Sequence, residues 1–103
     1  MFMKVTSYTK LNAYEVDGND LAIYWNEQEH EPKENETEVY WTYDHCQAFA
    51  SDSRNVLIEK IMATKYPTYG SEVAAIVNGG ESAQEHEAFR TQAKALADGW
   101  VNK

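Results

Sequence analysis

The chain is poor in cysteine, in basic residues and in long apolar runs, and each shortage excludes something. Cys46 is the single cysteine among 103 residues, so no intrachain disulfide staples the fold, and a reducing compartment is expected. No apolar run approaches the ~20 residues a helix needs to span a bilayer. The opening segment MFMKVTSYTK lacks the apolar stretch of a secretory signal, so the expectation is a cytoplasmic protein. Lys and Arg number nine against 17 Asp and Glu, a formal charge of −8, and the nine are scattered. Such a chain repels a phosphate backbone and an anionic membrane surface, so neither nucleic acid nor membrane is expected as a partner. Asn78-Gly79-Gly80 is followed by no Gly-Lys-Ser/Thr, and no Gly-x-Ser-x-Gly elbow occurs, so the phosphate-loop and hydrolase signatures are missing.

What the chain does have is ordinary core material and many aromatics. Hydrophobic residues make up 43% and charged residues 25%, as in a typical globular protein. Aromatics reach 13%, and seven of them are tyrosines, which suit sheet faces and contact surfaces because one end of the ring is polar. The length fits one domain, residues 1–103, with a β-rich part over 1–49 and a helical part over 50–103.

The first half reads as strands. Met3 to Thr9 mixes Val, Thr and Tyr, which favour a pleated surface, and Lys4 and Lys10 flank it as edge protection would. Ala13–Val16 and Leu21–Trp25 flank Asp17-Gly18-Asn19-Asp20, whose residue types make a tight turn. Tyr-Trp pairs at Tyr24-Trp25 and Tyr40-Trp41 bracket a segment in which six of the twelve residues from Glu27 to Glu38 are Glu. Alternation on both sides predicts a hairpin centred near Pro32, with Ile23 opposite Trp41, Trp25 opposite Val39 and Tyr24 opposite Tyr40.

The second half reads as helices. Ser51-Asp52-Ser53 supplies N-caps for a helix whose face carries Leu57, Ile58, Ile61 and Met62, and Pro67 stops it after Tyr66. Ser71–Val77 makes a short helix closed by Asn78-Gly79-Gly80. Ser82 and Glu85 form a capping box, after which Phe89, Ala93, Leu96 and Trp100 trace an apolar stripe. Together these predict an α+β fold: a small antiparallel β-meander of about four strands, then about three helices packed on one face.

Three constellations are candidates for chemistry. The Glu-rich tip has no Asp or Gly in calcium-loop order and one histidine, His30, so a solvated tip is favoured over a metal site. Asp44-His45-Cys46 ends the fourth strand, where neighbours point to opposite faces, so His45 is badly placed to activate Cys46 and a small buried hydrophobe is favoured. Glu85-His86-Glu87 resembles part of a zinc helix, but position 90 is Arg, and the acids suit a first helical turn. No catalytic residue, metal or cofactor is expected.

The helical half carries a family resemblance. Arg54–Pro67, with its Lys65-Tyr66 end, the Ser71-Glu-Val-Ala-Ala-Ile76 helix, and His86–Phe89 with Ala93–Ala97 look like small phage-tail accessory proteins, and the β-rich part looks like small proteins of bacteroidetes prophages. The resemblance implies a role in tail or tail-fibre assembly by protein contact, in the bacterial cytoplasm or on the virion. The residues independently allow a contact surface built from Tyr14, Tyr24 and Tyr40, for a protein partner or a second copy. The leading expectation is a non-catalytic interaction or assembly module. The alternative is a small enzyme or ligand-binding protein with a pocket near Asp44, His45 and Cys46.

Overall fold

A computed structural model describes residues 4–102. Four antiparallel strands, β1 (Lys4–Ser7), β2 (Tyr14–Asp17), β3 (Asp20–His30) and β4 (Tyr40–Phe49), precede three helices, α1 (Arg54–Lys65), α2 (Tyr69–Val77) and α3 (Gly80–Val101). This is the α+β fold the sequence predicts. The described residues fall into two compact units that divide between Ala50 and Ser51.

In the sheet unit the strand order is β1-β4-β3-β2. Strands β2, β3 and β4 form the meander, and β1 pairs with β4 at the far edge. The expected first strand is shorter than Met3–Thr9, and Met3 lies outside the described residues. Gly18 takes φ +63° at the first position of the two-residue loop between β2 and β3, where a residue with a Cβ is strained. Leu21, Ile23 and Trp25 on β3 lie opposite Ala48, Cys46 and Asp44 on β4, and the apolar members of this row are buried. Fully burying a Leu or Ile side chain contributes about 1.5–3 kcal/mol.

The long hairpin corrects the expected register. Tyr24 lies opposite His45, not Tyr40; Ile23 lies opposite Cys46 and Trp25 opposite Asp44. The strands run further, so Glu27, Glu29 and His30 belong to β3 and the connection covers residues 31–39. The pairing also shifts between Trp25 and Gln28, where β3 carries one extra residue. Asn26 sits there at φ 56°, a left-handed conformation that Asn tolerates better than most residues. Beyond this bulge His30 lies opposite Tyr40 and Glu29 opposite Trp41.

In the helical unit α1 is capped by Ser53, whose hydroxyl accepts from the Val56 N–H, and buries the four expected residues Leu57, Ile58, Ile61 and Met62. The Tyr66 N–H bonds the Met62 carbonyl, and Pro67 then forbids continuation. Helix α2 starts two residues earlier than the sequence suggests, because Thr68 and Ser71 cap each other reciprocally. Gly79 takes φ +63° between α2 and α3. Helix α3 begins at Gly80, so Ser82 lies inside it and the expected capping box at Ser82 and Glu85 does not open it. Its buried face is His86, Phe89, Ala93 and Ala97.

Candidate interaction surface

The pairing of β3 with β4 decides which aromatic side chains meet, and the bulge at Asn26 decides which face Tyr24 takes. Because β4 alternates, Tyr40, Thr42 and Asp44 project from one face, while Trp41, Tyr43 and His45 project from the other. Tyr24 belongs with His45, so Tyr24 and Tyr40 stand on opposite faces and do not form one patch. Tyr14 pairs with Ile23 on the β2 edge, where it is half-buried and burial raises its phenol pKa. The structure therefore distributes the three expected surface tyrosines over three places.

On the Tyr40 face a row of rings crosses the end of the sheet from β1 to β3. Tyr8, just beyond β1, lies 6.3 Å from Tyr40 between ring centroids. Tyr40 stacks on His30 at 4.8 Å with planes 9° apart. The His30 Nε2 is 2.8 Å from the Thr42 hydroxyl, which fixes the imidazole in the row. Lys33 reaches back from the connection and sets its ammonium 5.0 Å from the Tyr40 ring centre. Tyr8 is 45% exposed and donates its hydroxyl to Glu36 Oε2 at 3.0 Å. That hydrogen bond, followed by burial and nearby carboxylates, raises the Tyr8 phenol pKa. A recess of about 350 Å³ lies beside it, lined by Tyr8, Asn35, Glu36, Thr37 and Glu38. Neither Tyr8 nor this recess is visible in the local sequence pattern, because β1 meets β4 across more than thirty residues of chain.

The opposite face holds a tight polar cluster. Tyr43 is buried; it accepts from the Leu11 N–H at 2.9 Å and donates to Glu27 at 2.9 Å. Leu11 belongs to the connection from β1 to β2, which joins opposite edges of the sheet and is pinned to Tyr43 on its way. Tyr24 packs its edge on Tyr43 at 5.6 Å and stacks on His45 at 5.1 Å. Burial lowers the His45 pKa, with a hydrogen bond to Gln47 acting the other way, and the His45 Nδ1 is buried with no hydrogen-bond partner.

Asp44, His45 and Cys46 are not gathered into one site. Asp44 is 4% exposed, and its carboxylate lies 2.8 Å from the Lys4 ammonium and 3.2 Å from the Asn26 amide. Cys46 is buried on the Asp44 face, and His45 projects from the other, as strand alternation demands. Among the described residues no group of three or more His, Cys, Asp or Glu is placed to hold a metal ion.

In the helical unit His86 departs from the expected role of a first-turn residue. It is 7% exposed, its Nε2 lies 2.9 Å from Glu72 Oε1, and its ring meets Tyr66 at 5.1 Å. Its place in the 86, 89, 93, 97 row was the available signal. A groove of about 450 Å³ lies between α1 and α3, with Arg54, Arg90 and Lys94 among its walls. Arg54 is tied to Asp98, and Arg90 lies 4.0 Å from Glu72, so two of the three bases are already opposed. Helix α2 leaves Tyr69 at its start 84% exposed, and Ile76 and Val77 at its end 50% and 75% exposed. No helix among the described residues is long and apolar enough to cross a membrane.

Comparison with protein-family models, curated proteins and solved structures found no match to this chain.

Proposed function

We propose that the chain is a non-catalytic protein-binding module that meets a basic partner through its sheet unit. The observation that carries this reading is the division of charge. Residues 1–50 hold ten Asp and Glu against three Lys, whereas residues 51–103 hold seven against six Lys and Arg. The surplus acids stand beside exposed and half-buried tyrosines, a residue type favoured in contact surfaces. A complementary, positively charged partner gains both steering and selectivity from such a field. A second copy meeting sheet to sheet fits less well, since like-charged surfaces repel. We propose tail and tail-fibre proteins as candidate partners on the resemblance read in residues 54–97 alone.

The non-catalytic part of the reading is supported by what surrounds the reactive side chains. The Asp44 carboxylate is engaged by Lys4 and Asn26, the Cys46 thiol is buried, and the imidazole between them projects from the other face. A thiolate nucleophile needs its base within hydrogen-bond reach.

Panning a random peptide library against the full chain tests the proposal. The expected result is enrichment of Lys- and Arg-bearing peptides that lose affinity for a Glu29→Gln/Glu36→Gln/Glu38→Gln variant. Failure to enrich any peptide, or enrichment of acidic or purely apolar sequences, contradicts it.

A further inference from the structure

The row of rings and the recess beside it define where a partner's charge would be received. Three properties coincide there. Tyr8 lines the recess with an aromatic ring, whose quadrupole attracts cations within about 6 Å. Glu36 and Glu38 line the recess, and the Glu36 carboxylate is fixed by the Tyr8 hydroxyl instead of swinging free in water. The chain's own Lys33 already holds an ammonium over Tyr40, so a ring of this row accepts a cation in the geometry seen. The other charged side chains of the connection, Glu31 and Glu34, are exposed and add to the same sign.

We propose that the recess bounded by Tyr8, Asn35, Glu36, Thr37 and Glu38 takes a lysine or arginine side chain from a basic segment of a partner protein. The carboxylates of Glu36 and Glu38 meet the charge, and the Tyr8 ring that lines the recess supports the aliphatic stem and the cation. Lys33 is the internal competitor: its charge opposes entry of a second cation and partly occupies the Tyr40 ring. This inference rests on the protein-binding reading and narrows it to one place and one side-chain class.

The test is an amide-resolved NMR titration of the full-length ¹⁵N-labelled chain with hexa-arginine and hexalysine, with hexaglutamine as the uncharged control. The expected result is saturable shifts centred on Tyr8 and residues 35–38, with no response to hexaglutamine. Tyr8→Leu and Glu36→Gln each weaken binding about three- to fivefold, the scale of an exposed cation–π or ion-pair contact. Lys33→Gln tightens it. Tyr8, Glu36 and Lys33 are exposed, so these variants keep the fold, which their amide spectra verify directly. Shifts spread evenly over all the acids and insensitive to Tyr8→Leu would overturn the recess while leaving the protein-binding reading intact. Binding of neither cationic peptide, together with a peptide panning that enriches nothing, would overturn both. A library-selected peptide that binds with full affinity to Tyr8→Leu overturns the recess alone.

Discussion

Residues 1–50 and 51–103 are nearly equal in length but are held together differently. The helical unit balances its charges: Lys60 lies 2.5 Å from Asp52, Arg54 binds Asp98, and Lys65 lies 3.9 Å from Glu85. Its cohesion comes from an apolar stripe, Leu57, Ile58, Ile61 and Met62 on α1 and Phe89, Ala93 and Ala97 on α3. The sheet unit carries a surplus of seven negative charges, ten acids against three lysines. Self-repulsion of that kind works against compactness. It is offset there by an apolar row and by specific polar anchors, the Lys4–Asp44 pair and the Tyr43 hydroxyl. A unit that spends its charges internally has little to offer a charged partner, whereas a unit with unbalanced acids beside tyrosines does. The contrast is what directs the proposed function to the sheet.

The comparison can be broken at its strongest points first. Ile61 is fully buried in the helical unit, and Ile61→Ala should cost about 2–5 kcal/mol in denaturant unfolding followed by helical ellipticity. A cost below 1 kcal/mol, the scale of an ordinary surface change, would mean that the stripe is not what holds that unit. Next comes the sheet anchor. Lys4→Met leaves the nearly buried Asp44 carboxylate with Asn26, and a loss of about 1–3 kcal/mol is expected, below that of a fully buried pair because Lys4 is itself half exposed. Asp44→Asn added to Lys4→Met should recover part of it, and a double variant no better than the single one would remove the buried-charge argument.

Tyr43→Phe should cost about 1–2 kcal/mol, since it deprives the Leu11 N–H of its acceptor and Glu27 of its donor while keeping the ring. The parent protein should also lose stability at alkaline pH. The Tyr43 phenol is raised above its ordinary value, first by burial, so the unfolded chain ionises earlier and stability falls as pH rises beyond about 10. Tyr43→Phe should shallow that alkaline fall. The smallest effect concerns acid. Burial holds the His45 pKa below its ordinary value, so its contribution is present above about pH 6.5 and is lost as pH falls through the folded-state pKa. His45→Gln should flatten stability against pH as pH falls below about 6.5, and an unchanged slope would assign it to the carboxylates instead.

Much of this architecture is legible in the sequence, for local reasons. Helical spacing places Leu57, Ile58, Ile61 and Met62 on one face, Pro67 ends α1, and Gly18 and Gly79 occupy the left-handed positions that turns and helix ends favour. What is illegible is non-local or turns on one residue. The pairing of β1 with β4 has no signature in either strand alone. The hairpin turns beyond Pro32, so Tyr24 meets His45 and not Tyr40, and one extra residue at Asn26 then puts Tyr24 and Tyr40 on opposite faces, since in a period of two a single-residue slip exchanges them. A turn centred near Pro32 makes the symmetric Tyr-Trp pairs suggest a Tyr24–Tyr40 contact, while Tyr40 stacks on His30 and Tyr24 on His45. Tyr8 escapes notice for the same reason: its neighbours, Glu36 and Tyr40, arrive from the far end of the hairpin. The exposed apolar residues of α2, Tyr69 at its start and Ile76 and Val77 at its end, are the rival surface that a sequence reading passes over, because nothing in a short helix tells which face stays uncovered.

That rivalry can be resolved in one measurement: hydrogen–deuterium exchange of the full chain, alone and saturated with a library-selected peptide. The account predicts new protection over residues 8–11 and 33–42, with α2 unchanged. Protection confined to Tyr69–Val77, with the sheet unit unaltered, would contradict it and move the binding surface to the helices.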